Sequence, residues 1–257
     1  MRIATLSSAY SGDSKKAGVS DLQVDQIMST LKTLNPDVLV TAGCSIKNKN
    51  NLYILEKFFN LSMWNGIIFV EVSNFYKKRK FNHCLFAWTR DGGWKNLGGQ
   101  HFSTSKEAAL ICKDSNEFEK NLHKRVIEFN GIRFGALICG EINALVAGKN
   151  GVIVRTKGIE NWLKEIDFIV NPTHDQMGRQ VLLNAKRTWI SSGGRFYVSS
   201  SNWNLDKNQK NHFFHLHSFF YDSLQIDHKS MSGTDGLYEC RFIDIDDGNF
   251  PGLSDVL

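Results

Sequence analysis

The sequence has no closely spaced cysteine pair of the kind that a zinc knuckle or a disulfide framework requires. Its five cysteines are odd in number and far apart: Cys44, Cys84, Cys112, Cys139 and Cys240. Neither a CxxC metal site nor a disulfide-stabilised fold is therefore predicted. No apolar run approaches the roughly 18 residues of a membrane span, and Met1 to Leu6 is too short for the apolar core of a signal peptide. We therefore expect a cytoplasmic protein with reduced thiols and no membrane partner.

Basic residues are in slight excess but are not gathered into one region. The 257 residues carry a formal net charge of +5, and the only dense basic run is Lys77 to Lys80. Scattered cations are typical of a solvated surface, whereas a nucleic-acid-binding face needs clustered cations with aromatic residues between them. A nucleic-acid partner is thus disfavoured without being excluded. Gly98-Gly99 lacks the strand–GxGxxG–helix context of a nucleotide site.

The first third of the chain alternates short apolar runs with segments of helical periodicity. Apolar runs at residues 3–7, 38–40 and 67–70 predict buried strands. The spacing of apolar residues from Leu22 to Leu34, and again from Leu52 to Phe59, predicts one helix between each pair of strands. This β-α-β-α-β order is typical of a parallel sheet with helices on its faces.

The middle of the chain has the pattern of antiparallel strand pairs. Residues 84–89 and 100–105 flank a turn at Asp91-Gly92-Gly93, which predicts two paired strands. Asn130-Gly131 predicts a second hairpin, because these residue types readily adopt the positive φ angles of a tight turn. A strand at residues 168–170, ended by Asn171-Pro172, then continues the α/β pattern. With no linker or repeat, we predict an α/β fold with mixed sheets, a four-layer α-β-β-α sandwich, as a single domain over residues 1–257.

Several segments, in order along the chain, are similar to motifs of one enzyme family. Phe134 to Glu141, with the sequence FGALICGE, resembles a nucleophile strand and turn written G-x-x-I-C-x-[DE]. Residues 167–172, with the sequence DFIVNP, are similar to a strand written D-x-[IL]-x-N-P. The other similar segments are residues 2–4, 37–40, 183–202 and the final strands at 217–220 and 236–238. The chain thus resembles the carbon–nitrogen hydrolase (nitrilase) superfamily over nearly its whole length.

The resemblance implies a cysteine-dependent reaction on a small amide-type substrate. In this family a thiolate attacks an amide or nitrile carbon, a glutamate moves protons and a lysine ammonium stabilises the oxyanion. Cys139 occupies the nucleophile position, at a turn before a predicted helix whose N-terminus would favour the thiolate. The resemblance also implies a covalent thioester, no metal, no organic cofactor, and a homodimer or higher homo-oligomer.

The sequence departs from the family where the glutamate belongs. The family motif [FY]-P-E follows the second strand, and this chain has Thr41-Ala42-Gly43 there. Glu71 is one replacement candidate, because it ends the neighbouring predicted strand and parallel strands bring their carboxyl ends together. Glu141 is another candidate because it lies close to Cys139 in sequence, although the family uses that position mainly as support.

The position of the lysine is open on the sequence alone. Counting linearly from the Asp91-Gly92 turn places Gln100 at the lysine position, whereas an insertion in the hairpin places Lys106 there. We favour Lys106, at the end of the predicted strand 100–105. His174 follows the strand end at Asn171-Pro172, where the family's loop borders the pocket. We predict that His174 and Gln100 contact the substrate.

The sequence is consistent with two functions. The first is a C–N hydrolase that uses Cys139, Lys106 and a relocated carboxylate. The second is a binding or assembly module that kept the fold, lost the reaction and acts with a partner protein. The altered turn at Thr41-Ala42-Gly43 motivates the second, whereas Cys139 beside Glu141 and Glu71 favours the first.

Overall fold

The computed structural model describes residues 1–10, 22–73, 75, 81–114, 116–175, 180–204, 216–232 and 238–245. The strands are β1 Arg2–Tyr10, β2 Val38–Thr41, β3 Ile67–Val72, β4 Cys84–Thr89, β5 Gly93–Gly98, β6 Val126–Phe129, β7 Ile132–Ala136, β8 Leu145–Gly148, β9 Gly151–Val154, β10 Phe168–Asp175, β11 Phe196–Asn204, β12 His217–Tyr221, β13 Leu224–Gln225, β14 Lys229–Ser232 and β15 Tyr238–Asp244. The helices are α1 Leu22–Leu34, α2 Asn50–Leu61, α3 Ser105–Asp114, α4 Asn116–Lys124, α5 Lys157–Leu163 and α6 Gln180–Ile190, with a 3-10 helix at Cys139–Ala144.

Thirteen of the strands form two mixed sheets, which join through the ends of one interior strand of each, and β8 and β9 form a separate hairpin. The first sheet has the order β5-β4-β3-β2-β1-β15-β14, and the second has the order β6-β7-β10-β11-β12-β13. Strands β1, β2 and β3 run parallel, as do β7, β10 and β11. The sheets join only at the carboxyl ends of β1 and β11, where Ala9 pairs with Trp203 and Tyr10 with Asn204. The carboxyl ends of the central strands therefore converge at this junction.

Three apolar clusters show the layers of the fold. The central cluster includes Val40, Phe69, Phe134 and Val198, so it draws on both sheets and lies between them. A second cluster packs α1 and α2 onto the outer face of the first sheet, and a third packs the helices from α3 onward onto the outer face of the second. Strands covered on both faces read as continuous apolar runs. The predicted α/β four-layer α-β-β-α sandwich is confirmed.

Most predicted elements are present, but two predicted boundaries are wrong. Residues 100–105 are not a strand: β5 ends at Gly98, and Ser105 begins α3. The strand predicted at residues 168–170 does not stop before Pro172 but runs as β10 to Asp175. The Asn130-Gly131 hairpin is confirmed, with φ angles of 51° and 77°. Among the described residues, no helix is both long enough and apolar enough to cross a membrane.

Candidate active site

Cys139 is the first residue of the 3-10 helix and lies in the tight turn that follows β7. Its φ angle is 46°, a left-handed conformation that is uncommon for a residue with a side chain. The Asn171 side chain supports this turn, because its Nδ2 donates a hydrogen bond of 3.2 Å to the Cys139 carbonyl oxygen. The Tyr197 hydroxyl in turn donates to Asn171 Oδ1 at 2.9 Å. Such strained residues occur where the surrounding structure holds them, often at active sites.

Glu141 holds the same turn in place through both oxygens of its carboxylate. Its carboxylate is buried, pairs with Arg125 Nη1 at 2.5 Å, and accepts the backbone N–H groups of Ile138 at 2.9 Å and His101 at 2.8 Å. These contacts saturate the two carboxylate oxygens with donors. The structure therefore places Glu141 as a support for the Cys139 turn, rather than as a carboxylate free to move protons.

Glu71 is a completely buried carboxylate at the end of β3, near the junction of the sheets. Its side chain has no exposed surface, and its Oε2 accepts a hydrogen bond of 2.6 Å from the Cys44 backbone N–H. The same oxygen lies 2.6 Å from His174 Nε2, and Oε1 lies 3.4 Å from His83 Nε2. Glu71 thus contacts two histidines that come from different parts of the chain.

His174 connects the two sheets at this point. It lies in β10 at a pairing irregularity, because Thr173 pairs with Ser201 while Asp175 pairs with Asn202. An extra residue in one strand redirects its side chain away from the regular alternation of the sheet. The His174 ring contacts Glu71 through Nε2, and it lies close enough to the thiols of Cys139 and Cys44 for both to raise its pKa. Glu71, His174 and Cys139 are therefore neighbours at the junction of the sheets.

The Glu71 carboxylate and the His174 imidazole carry opposite charges. Burial alone would raise the pKa of Glu71, but His174, His83 and the Cys44 N–H lower it to about 2. Burial alone would lower the pKa of His174, but Glu71, with the thiols of Cys139 and Cys44, raises it well above its ordinary value. Glu71 and His174 therefore form a buried ion pair at neutral pH. Burial lowers the pKa of His83, so that second ring is neutral.

Gly43 explains why the His174 ring fits in this position. Gly43 stands where the family motif has its glutamate, and a Cβ atom added there would lie 2.4 Å from His174 Cδ2. The Gly43 N–H also donates to the Thr173 carbonyl oxygen at 2.8 Å, and Asn202 Nδ2 donates to the Gly43 carbonyl oxygen at 2.7 Å. Close approach of two backbones is a common reason for glycine. The altered turn and the histidine thus fit one another.

The two lysine candidates lie in different environments. Gln100 is buried, and its Oε1 lies 3.1 Å from His83 Nε2. Lys106 is exposed in the first turn of α3, and none of the described contacts joins it to Cys139, Glu71 or His174. Of the two candidates, Gln100 therefore lies next to a histidine that contacts Glu71, and Lys106 has no described contact with the site.

Two residues of this site, Cys44 and His83, were missed from the sequence. His83 immediately precedes β4, whose Leu85 pairs with Glu71 in the neighbouring strand. Cys44 immediately follows the altered turn and has a φ angle of 55°. Once Glu71 was a candidate, strand adjacency was the signal that could have pointed to His83.

A separate cavity of about 540 Å³ lies beside the 3-10 helix. Asn143, Leu145 and Lys186 contribute to its lining, and Lys186 Nζ donates a hydrogen bond of 2.7 Å to Asn143 Oδ1. Neither Cys139 nor His174 lines this cavity. Burial, with a smaller effect of the Arg155 charge, lowers the pKa of Lys186 to about 8.

Lys186 is expected to acylate with a pH midpoint near 8, because only the uncharged amine is nucleophilic and half of it is uncharged at its pKa of about 8. The measurement is labelling by an amine-specific acylating reagent from pH 6 to 10, quantified for each lysine by peptide mass spectrometry. The exposed Lys106 is the internal control. A Lys186 midpoint no lower than that of Lys106 would contradict the prediction.

Solved structures of known proteins share the fold of this chain. No protein-family model matches the sequence, and a search of curated proteins gives no match. Among solved structures, the NitN amidase from Nesterenkonia sp. AN1 is similar with a TM-score of 0.54 and 10% identity, over 97% of this chain and 94% of that chain. A cysteine-to-alanine variant of that amidase, described as a nitrilase-superfamily protein, gives a TM-score of 0.55 and 10% identity over 99% and 93% of the chains.

A larger enzyme also contains this architecture. The glutamine-dependent NAD(+) synthetase from Cytophaga hutchinsonii is similar with a TM-score of 0.52 and 11% identity, over 95% of this chain and 43% of that chain. Identities this low establish the architecture and not the reaction. The chain therefore has the fold of the carbon–nitrogen hydrolase (nitrilase) superfamily, as its sequence motifs predicted.

Proposed function

We propose that the protein is a cysteine-dependent C–N hydrolase that cleaves a small amide-type bond with Cys139, His174 and Glu71. The observation that carries this proposal is the His174 ring, which occupies the space left by Gly43, contacts Glu71 and lies near the Cys139 thiol. A nucleophile, a base and a residue that orients the base form the recurring unit of nucleophilic catalysis, and such units are recognised by geometry rather than by sequence position.

Each residue has a defined task in this reaction. The His174 imidazolium stabilises the Cys139 thiolate, which attacks the carbonyl carbon, forming a C–S bond and placing the π electrons on oxygen. When the oxyanion collapses, the C–N bond breaks and His174 gives its proton to the leaving nitrogen. Neutral His174 then takes a proton from the water that attacks the thioester. The C–S bond breaks, and the acid product leaves the thiolate–imidazolium pair restored.

Glu71 and Glu141 are both buried but serve different purposes. Glu71 contacts His174 directly, so it orients the ring and stabilises its charge. Glu141 pairs with Arg125 and holds the backbone around Cys139. Of the two carboxylates named from the sequence, Glu71 belongs to the proposed reaction and Glu141 positions the nucleophile.

A binding or assembly module without a reaction is the alternative. The observation in its favour is that Lys106 is exposed, so the family's ammonium has no equivalent among the described contacts of Cys139. The fit of the His174 ring against Gly43 and its contact with Glu71 argue against simple loss of the site, because decay would not be expected to leave connected ionisable groups near the same thiol.

The test uses fluoroacetamide, whose acetamide moiety is found on the active-site cysteine in a variant of the Nesterenkonia amidase. Attack by the Cys139 thiolate displaces fluoride, and we expect an acetamide adduct on Cys139. Intact-protein and peptide mass spectrometry locate the adduct. Cys112, which is also partly buried, is the internal control. An adduct that survives in Cys139→Ser, or that forms equally on Cys112, would refute the proposed function.

A further inference from the structure

Three side chains in the candidate active site have the composition of a zinc ligand set. One donor atom from each of Cys44, His83 and His174 lies within 4.8 Å of the others. The two imidazole rings stand nearly edge to face, with centroids 4.3 Å apart. Ligands of a tetrahedral zinc ion, at about 2.0–2.3 Å from the metal, lie roughly 3.3–3.8 Å from one another. Small side-chain movements would therefore bring these three donors around one ion.

Glu71 provides an independent observation at this cluster. Its Oε1 is completely buried, and His83 Nε2, which lies 3.4 Å away, forms no hydrogen bond with it; no other hydrogen bond to this oxygen is present among the described residues. Buried polar atoms are normally paired, and an unpaired one calls for a missing partner such as a water or an ion. A cation bound by the neighbouring thiolate and imidazoles would supply the positive charge that this oxygen faces.

The hydrogen bonds of the histidines leave suitable lone pairs. Gln100 Nε2 donates to the Phe102 carbonyl oxygen at 2.8 Å, so Gln100 Oε1 is the acceptor that faces His83 Nε2 at 3.1 Å. His83 therefore carries its proton on Nε2 and its lone pair on Nδ1. His174 likewise donates from Nε2 to Glu71, so its Nδ1 becomes a ligand when the metal ion displaces the second proton of the imidazolium. A histidine that donates one N–H to a carboxylate or carbonyl oxygen and binds a metal through the other nitrogen is the usual arrangement at zinc sites.

We propose that Cys44, His83 and His174 bind one Zn²⁺ ion, with Glu71 as the carboxylate that orients the histidines. Thiolate and imidazole donors together select Zn²⁺ over hard cations such as Mg²⁺ or Ca²⁺. Three protein ligands leave the fourth position open. This consequence rests on the proposed function: Zn²⁺ inhibits the hydrolase, because a metal-bound His174 cannot be the imidazolium that stabilises the Cys139 thiolate.

The test measures metal binding directly on the full chain after removal of metal by a chelator. Titration with Zn²⁺ against a chromophoric chelator is expected to give one ion per chain. Loss of a residue that hydrogen-bonds a metal ligand typically weakens metal binding by ~10–100-fold, and we expect a loss in that range for Glu71→Gln. Cys44→Ser and His83→Gln each remove a ligand and should weaken Zn²⁺ binding by more than about 100-fold. Cobalt(II) is the second probe: its thiolate charge-transfer absorption should appear in the parent and vanish in Cys44→Ser.

Two controls separate this proposal from the hydrolase function. Cys112→Ser removes a partly buried thiol elsewhere and should bind Zn²⁺ like the parent, and Cys139→Ala should also keep the ion. Fluoroacetamide labelling of Cys139, measured with and without Zn²⁺ in each variant, should be slowed by Zn²⁺ in the parent but not in Cys44→Ser. Zinc binding without any labelling refutes only the hydrolase. Binding in the parent no tighter than in both Cys44→Ser and His83→Gln overturns the metal site.

Discussion

Replacement of His174 by glutamine is expected to slow the reaction of Cys139 with fluoroacetamide by about 1,000-fold, within the ~10²–10⁴-fold typical of a positioned acid or base. The reason is that glutamine cannot carry the positive charge that stabilises the thiolate. Burial of Glu71 strengthens this effect, because a completely buried carboxylate without its imidazolium partner has no solvent to compensate its charge. The measurement is the second-order rate constant of adduct formation, followed by mass spectrometry.

Two further variants test whether Glu71 and His174 act together on Cys139. Glu71→Gln alone should slow labelling as well, and the Glu71→Gln/His174→Gln double variant should be little slower than His174→Gln, because residues that act as one unit are strongly non-additive. Additive losses, or a His174→Gln rate within about threefold of the parent, would mean that the ring is only a neighbour of Cys139. Circular dichroism spectra of each variant establish that the fold is intact.

Replacement of Arg125 by methionine is expected to lower the free energy of unfolding by about 3–5 kcal/mol, the usual cost of removing one partner of a buried ion pair. Both members of the Arg125–Glu141 pair are almost completely buried. Arg125 also donates to the carbonyl oxygens of Leu97 at 2.9 Å and Gly99 at 2.7 Å, which lose a donor as well. Urea unfolding followed by fluorescence measures the change.

The matched control is an arginine in a similar but exposed pair. Arg133 and Glu165 lie 3.4 Å apart with about two fifths of each side chain exposed, so Arg133→Met should cost at most about 1 kcal/mol. Adding Glu141→Leu to Arg125→Met should restore only part of the stability, because the N–H groups of Ile138 and His101 then lose their acceptor. Equal costs for Arg125→Met and Arg133→Met would contradict the support role of Glu141.

Local patterns were sufficient to predict elements whose burial is simple. Strand Cys84–Thr89 and helix Leu22–Leu34 agree with their predicted limits, because their apolar residues recur with the period of the element they form. Helices α3 and α4 and the β8-β9 hairpin were not predicted. Helix α3 begins at Ser105, the last residue of the segment 100–105 that was predicted to be a strand. The residues of that segment suit a strand as well as a helix start, so the sequence pattern did not distinguish the two.

The residues of the site were partly accessible from the sequence. Cys139 followed from its motif, and Glu71 followed from the rule that parallel strands end side by side. His174 was expected near the pocket as a substrate contact, and in the structure its ring contacts Glu71 and lies near the thiols of Cys139 and Cys44. Its orientation depends on the irregular pairing of β10 and β11, and one irregular residue leaves no periodic signal in a sequence.

The sequence by itself determined the layered architecture and identified the candidate nucleophile, because burial imposes a period on each strand and helix and because a short motif marks the turn at Cys139. Only the tertiary structure decided which groups accompany that thiol. Gly43, Glu71, His83 and His174 are scattered over more than 130 residues of chain, and they become neighbours only where the carboxyl ends of the two sheets converge. Such a meeting depends on strand order and sheet curvature, which no local pattern of side chains encodes.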